Sequence, residues 1–208
     1  MEGQIQTLKE RLIDIINLSY RILCAKIVGG EIIVDNESSL QLQFSILLNA
    51  IGQLYVFSED EHFSVELEKK VNLINATCKS PKKKARCDIW LTIFDKTNKE
   101  HAAIELKYFR KSSGETITNN RFSVLCDLEN LEEYKKENNN ILSAFVLFTN
   151  NVNYIKTDTN SYINIGEGAK VDKNCHKSNN KEVSLSNEYI FNWDLYKTLI
   201  PQHYNLTL

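Results

Sequence analysis

Apolar and polar positions alternate along the chain with periods that change from segment to segment, and these changes mark out the elements. Residues 5 to 24 place Ile5, Leu8, Leu12, Ile15, Ile16, Ile22 and Leu23 at helical spacing, which predicts an amphipathic first helix closing before Gly29 and Gly30. A short apolar run, Glu31 to Val34, leads to the cap-type residues Asp35, Asn36, Glu37 and Ser38. A second helix is expected from about Glu37, with Leu40, Phe44, Leu47, Leu48 and Ile51 on one face up to Gly52. Three extended segments follow, Phe63 to Val71, Arg86 to Phe94 and His101 to Phe109. The last two are joined by the polar stretch Asp95 to Glu100, short enough for an antiparallel hairpin. After a Gly/Ser/Asn-rich loop from Lys111 to Asn120, Leu125, Leu128, Leu131 and Tyr134 predict a helix over Phe122 to Glu137. The nearly continuous apolar run Ile141 to Phe148 has the composition of a buried central strand. Residues 152 to 187 show little periodicity and read as a long irregular excursion. Glu188 to Trp193 is expected to be a strand, and Asp194 to Ile200 a short helix stopped by Pro201.

With 208 residues, 42% of them hydrophobic and 25% charged, the chain has the balance of a globular protein with one sizeable core, so a single domain over 1–208 is expected. Within it, 1–35 is an N-terminal helix and lead-in, 36–150 a core, and 151–208 the irregular excursion with a terminal strand and helix. The element order implies an α/β fold with a mixed central sheet flanked by helices. Formal net charge is −2, so a nucleic-acid partner would have to be met by a local basic surface. The N-terminal segment mixes charges into its apolar positions, unlike a signal peptide, and no apolar stretch is long enough for a membrane span. A cytoplasmic protein with no membrane partner is the expectation, and a homo-oligomer is compatible with the sequence. Five scattered cysteines without a C-x-x-C pair indicate neither a disulfide framework nor a zinc ribbon, and several, such as Cys24 and Cys126 among apolar neighbours, read as small core residues.

Candidate chemistry enters where charge interrupts the apolar strands. Strand alternation puts Asp88, Trp90, Thr92 and Phe94 on one face of their segment, and Ala103, Glu105, Lys107 and Phe109 on one face of the next. Burying an unpaired carboxylate or ammonium costs several kcal/mol, so these charges must be paired, solvated or bound to a metal. Two neighbouring carboxylates suit a hard divalent cation such as Mg²⁺, with Mn²⁺ able to substitute, because water and phosphate oxygens complete its coordination. Such an ion acidifies water and stabilises charge on a phosphate, while Lys107, one pleat beyond Glu105, is placed to orient that water or offset the charge.

These residues resemble the PD-(D/E)XK nuclease superfamily, the restriction-endonuclease-like fold. The resemblance rests on Asp88 within Arg86-Cys87-Asp88-Ile89 and on Glu105-Leu106-Lys107, with 16 residues between Asp88 and Glu105 and with Cys87 where the motif has proline. It covers roughly residues 36 to 150 and implies an αβββαβ core. It further implies a Mg²⁺-dependent endonuclease acting on DNA, with Asp88 and Glu105 as metal ligands and Lys107 and Glu37 as further site residues. Glu37 matches a glutamate often found on the helix before the first core strand. A place in restriction or another genome-defence system is implied by the resemblance alone.

Each residue also has a plainer reading. Asp88, Glu105 and Lys107 could form a cross-strand salt-bridge ladder, although their apolar same-face neighbours suggest a covered face. Glu37 suits a helix N-terminus in any protein. Glu66 and Glu68 read as a solvated strand edge. Lys82, Lys83, Lys84 and Arg86 form either a solvated charge run or a phosphate-binding loop beside Asp88. Gln41 and Gln43 could contact phosphate or simply face solvent. The four histidines carry no assigned role, and Trp193 and Tyr196 read as anchors of the terminal elements. The alternative to a nuclease is a non-catalytic module that keeps the fold and binds nucleic acid or protein.

Overall fold

The computed structural model describes residues 6–110, 116–137, 141–157, 163–178, 180–196 and 203–207, with 137, 194–196 and the last segment as backbone only. Both N-terminal helices start on reciprocal caps. For α1 (Leu8–Val28), the Thr7 hydroxyl accepts from the Glu10 N–H and the Glu10 carboxylate accepts from the Thr7 N–H. For α2 (Glu37–Leu54), the Asn36 side chain accepts from the Ser39 N–H and Ser39 Oγ from the Asn36 N–H. The expected boundaries hold to within a turn, and Glu37 is the first residue of α2.

Strands β1 (His62–Asn72), β2 (Lys84–Phe94) and β3 (Lys99–Phe109) form an antiparallel series, with the Asp95–Asn98 turn joining the second to the third. Helix α3 (Ile117–Glu137) then crosses to β4 (Ile141–Thr149), which pairs with β3 in parallel. The sheet order is β1-β2-β3-β4, extended by β10 (His203–Thr207) and β9 (Trp193–Tyr196). This is an α/β architecture with α1 and α2 on one face of a mixed sheet and α3 on the other. Leu12, Ile15, Leu40, Phe44 and Leu48 meet Ile89, Leu91, Ile93, Ile104 and Val146 in one core. Trp90, Ala103, Phe145 and Leu147 meet Leu125, Leu128, Leu131 and Tyr134 in the other. On the first face Gly52 lies so close to the Phe63 ring that any Cβ would collide with it, which sets how tightly α2 seats on β1.

Two expectations for the C-terminal third are corrected. Asp194–Tyr196 belongs to β9, because these residues pair with β10, so the part of the expected helix that is described is extended; 197–200 lie outside the described residues. Residues 152–187 are also less irregular than expected. They contain a 3-10 turn (Val152–Tyr154), β5 (Ala169–Val171) and the hairpin β6 (Cys175–Ser178) and β7 (Lys181–Ser184). β5 pairs with β8 (Tyr189–Phe191). Strands of three or four residues are too short to show alternation in a sequence. Trp193 is an anchor as expected, its indole donating to the Ile165 carbonyl at 2.7 Å, whereas the Tyr196 side chain lies outside the described residues. All five cysteines are free; Cys24 and Cys126 are buried as expected, Cys87 is buried as well, Cys78 is half-buried and Cys175 exposed. Among the described residues no helix is long and apolar enough to cross a membrane.

Candidate functional site

The site forms where the sheet comes apart. β2 and β3 pair from Phe94↔Lys99 to Ile89↔Ile104 and no further, although the same register would next oppose Asp88 to Glu105. β3 continues along β4 as far as Phe109, while β2 continues along β1 as far as Lys84. The β1–β2 ribbon thus peels away from the β3–β4 pair, with Asp88 and Glu105 at the fork.

The ribbon also turns over at this point. Ile89, Leu91, Ile93 and Phe63 belong to the core under α1 and α2, but Ala85, Cys87 and Val71, of the same parity, belong to the core under α3. Strict alternation would have kept them together. The switch occurs at Glu68 and Asp88, which are opposite in register yet do not pair. Glu68 has φ 51, a left-handed conformation that a non-glycine residue adopts at a cost. The expectation that Asp88 simply shares a face with Trp90 is therefore replaced by a position on the turn itself. From there Asp88 Oδ2 reaches across to accept from the Leu106 N–H at 2.7 Å.

Around the fork the predicted residues come together. Glu105 is completely buried, with Oε1 accepting from the Tyr134 hydroxyl at 2.8 Å and Oε2 lying 3.1 Å from Lys79 Nζ. Lys107 Nζ lies 3.0 Å from Asp127 Oδ2, in an ion pair without hydrogen-bond alignment, and 3.4 Å from Glu37 Oε1. Glu37 and Gln41 lie one turn apart on α2 and so face the same way. Gln41 donates to the Asp88 carbonyl at 2.7 Å and to Glu68 at 3.1 Å, which replaces the solvent-facing reading for this residue.

Two members were not foreseen. Asp127 is buried and bridges the two lysines, with Oδ1 2.6 Å from Lys79 Nζ and Oδ2 facing Lys107. A signal for it existed: Val124, Asp127, Leu131 and Tyr134 follow helical spacing, so Asp127 is a charge set inside an apolar ridge. Lys79 carries no such signal, since it lies in the loop between β1 and β2. That loop is pinned to α3 by Asn75 N–H to Glu133, Thr77 Oγ1 to Asn130 and Cys78 N–H to Glu129.

The electrostatics follow from burial and charge count. Four carboxylates (Glu37, Asp88, Glu105, Asp127) face two ammoniums (Lys79, Lys107), an excess of two negative charges when all are ionised. Burial, with Asp127 and Asp88 adding repulsion, pushes the Glu105 carboxyl well above the usual range. Burial likewise raises Asp88, against the pull of the Leu106 N–H and Lys107, and it raises Glu37 against the pull of Lys107. Burial alone would lower both lysines, but Asp127 with Glu105 outweighs it at Lys79 and Asp127 with Glu37 at Lys107, so both ammoniums are held above the ordinary lysine range.

As they stand, no three His, Cys, Asp or Glu side chains among the described residues are arranged to hold a metal ion. Lys79 and Lys107 occupy the gaps between the carboxylates. In donor chemistry the cluster nonetheless fits a hard divalent cation, being all carboxylate oxygen with an excess charge of two. Lys82, Lys83, Lys84 and Arg86 are exposed on the run into β2, and none of the four side chains is drawn into an ion pair among the described residues. Glu66 pairs with Lys69 at the exposed edge, as a solvated strand edge would. The cavity of about 430 Å³ lined by Lys69, Lys70, Trp90, His101 and Ile141, among others, contains none of the clustered carboxylates. Compared with known protein families, curated proteins and solved structures, the chain matches none.

Proposed function

We propose that this protein is a divalent-metal-dependent nuclease of the PD-(D/E)XK type, with a restriction-endonuclease-like core, that hydrolyses phosphodiester bonds, most readily those of DNA. One observation carries the reading. Asp88, Glu105, Lys107 and Glu37, far apart in sequence, meet at a fork in the sheet with more negative charge than their own lysines neutralise. Asp88 and Glu105 would hold Mg²⁺ or Mn²⁺, with Glu37 beside them, and the ion would supply positive charge for phosphate oxygens and lower the pKa of water.

The chain's own groups have distinct parts. Lys107, anchored by Asp127 and Glu37, keeps its proton, so it donates to the attacking water or to a phosphate oxygen and does not act as a base. Glu37, half-exposed and raised above its usual range by burial, is suited to take a proton from that water. Lys82, Lys83, Lys84 and Arg86, exposed directly before Asp88, would bind the phosphates on either side.

The test is cleavage of a panel of single-stranded, double-stranded, branched and modified DNA, together with RNA, in Mg²⁺ and in Mn²⁺. Asp88→Asn, Glu105→Gln and Lys107→Ala should each lose more than about a hundredfold in rate while remaining folded. A second reading, a non-catalytic nucleic-acid-binding module, draws on the fact that Lys79 already satisfies Glu105. It prevails if the wild type binds DNA but cleaves nothing on the panel, and if the carboxylate variants bind alike with and without metal.

A further inference from the structure

We infer that Lys79 is a stand-in for the divalent cation: its ammonium neutralises Glu105 and Asp127 while the metal is absent and must leave when the metal binds. The inference rests on the nuclease reading above, and it concerns how that site is kept folded and how it is loaded. Lys79 Nζ lies 3.1 Å from Glu105 Oε2 and 2.6 Å from Asp127 Oδ1. Glu105 Oε1 already accepts from the Tyr134 hydroxyl, which leaves Oε2 as the oxygen better placed to take a cation.

A divalent ion bound at roughly 2.0 to 2.6 Å from that oxygen would stand within a few ångströms of the ammonium, and like charges at such separations repel strongly in a buried setting. The two cannot share the oxygen. Removing the ammonium without a replacement would leave buried carboxylates uncompensated, so one cation must follow the other.

The surroundings allow the exchange without unfolding. The backbone around Lys79 is tied down: Cys78 N–H donates to Glu129, Ser80 N–H to Thr77 Oγ1, and Thr77 Oγ1 to Asn130. Cys78 and Cys126 add a thiol contact of 3.3 Å one residue away from both partners of the Lys79–Asp127 pair. The Lys79 side chain itself keeps 36% of its surface exposed, against 0% for Glu105 and 1% for Asp127. Rotation about its own side-chain bonds is therefore the available movement. It carries the ammonium outward into solvent. Lys107 differs in this respect. Its side chain is only 13% exposed and sits between Asp127 and Glu37, not on Glu105, so it stays in place when the metal enters.

The experiment measures Mn²⁺ affinity by calorimetry for the wild type and for Lys79→Met, together with labelling of wild-type Lys79 by an amine-reactive ester, read by peptide mass spectrometry with and without Mn²⁺. Lys79→Met should bind Mn²⁺ about tenfold more tightly or better, because the ion no longer displaces a charge. In the wild type, saturating Mn²⁺ should speed Lys79 labelling severalfold relative to Lys82 to Lys84, which serve as the internal reference. The labelling arm decides alone if Lys79→Met does not fold. Wild-type binding of Mn²⁺ combined with equal or weaker binding by Lys79→Met, or with unchanged labelling of Lys79, overturns the stand-in role and leaves the nuclease reading in place. Absence of Mn²⁺ binding by both proteins overturns both.

Discussion

The two faces of the sheet are built on different principles. Under α1 and α2 the core is apolar, and its buried polar residues are few. Arg11 is locked to Glu61 by two bonds of 2.7 and 2.9 Å and to the Tyr55 carbonyl, and Ser45 donates back to Leu42. Under α3 the helix buries Asn120, Arg121, Asp127, Glu129, Asn130, Glu132 and Glu133 alongside its apolar residues. Most of these carboxylates serve the chain that wraps α3. Glu129 accepts from the N–H groups of Cys78 and Ser184, Glu133 from Asn75, and Glu132 from Ser186, Asn187 and the Tyr189 hydroxyl. A helix that packs on the sheet by one side and is covered elsewhere by short segments must satisfy the backbone donors of those segments, and acidic side chains do this efficiently. Asp127 is the exception, since it faces two ammoniums at the fork. The comparison teaches that buried acid on α3 is mostly scaffold, and that only the residue aimed at β3 belongs to the chemistry.

The comparison predicts a ranked series of effects. The largest is on the apolar face: Phe44→Ala should cost about 3–5 kcal/mol in urea unfolding and leave divalent-ion binding unchanged. A loss of ion binding would mean that the two faces are coupled. Next comes Glu132→Ala, which strands several buried donors and should cost about 2–4 kcal/mol. Hydrogen exchange should show lost protection at residues 184–189 with α3 retained; uniform loss of protection would dissolve the scaffold reading.

A smaller effect is expected for Glu105→Gln without divalent ions, and its sign depends on pH. The folded-state carboxyl of Glu105 is raised above its ordinary value of 4.5 by burial and by Asp127, so the folded chain holds this proton more tightly than the unfolded chain does. Its contribution is complete below pH 4.5 and is lost as pH rises through the raised value. Wild-type melting temperature in chelator should therefore fall as pH rises above 5, and the fall should be shallower in Glu105→Gln. Parallel profiles would show that Glu105 ionises without strain. The smallest effect on stability, within about 0.5 kcal/mol, belongs to the triple variant Lys82→Ala, Lys83→Ala, Lys84→Ala. Its salt dependence of DNA binding should nevertheless drop by roughly one unit of slope per lysine, and an unchanged slope would return these residues to the solvated charge run.

Periodicity alone was enough to place α1, α2, β1 to β4 and α3 in order, because each is long enough to display its period and carries its own caps or turn residues. It also singled out Asp88, Glu105 and Lys107, since charge within an apolar strand is visible without knowing what lies opposite, whereas Glu37 was marked only by the resemblance, a glutamate at a helix start being ordinary in any protein. Three things needed the folded chain. The short strands from Ala169 to Tyr196 owe their conformation to partners, such as β10 for β9, and not to their own residues. The overturn of the β1–β2 ribbon at Glu68 and Asp88 is a property of two strands leaving a third, and neither strand records it separately. The pairing of Lys79 with Glu105 and Asp127 joins a loop, a strand and a helix across 26 and 48 positions. A charge can be read as needing a partner from one-dimensional information, but which partner it finds is decided by Coulomb energy over distances that exist only once the layers have packed.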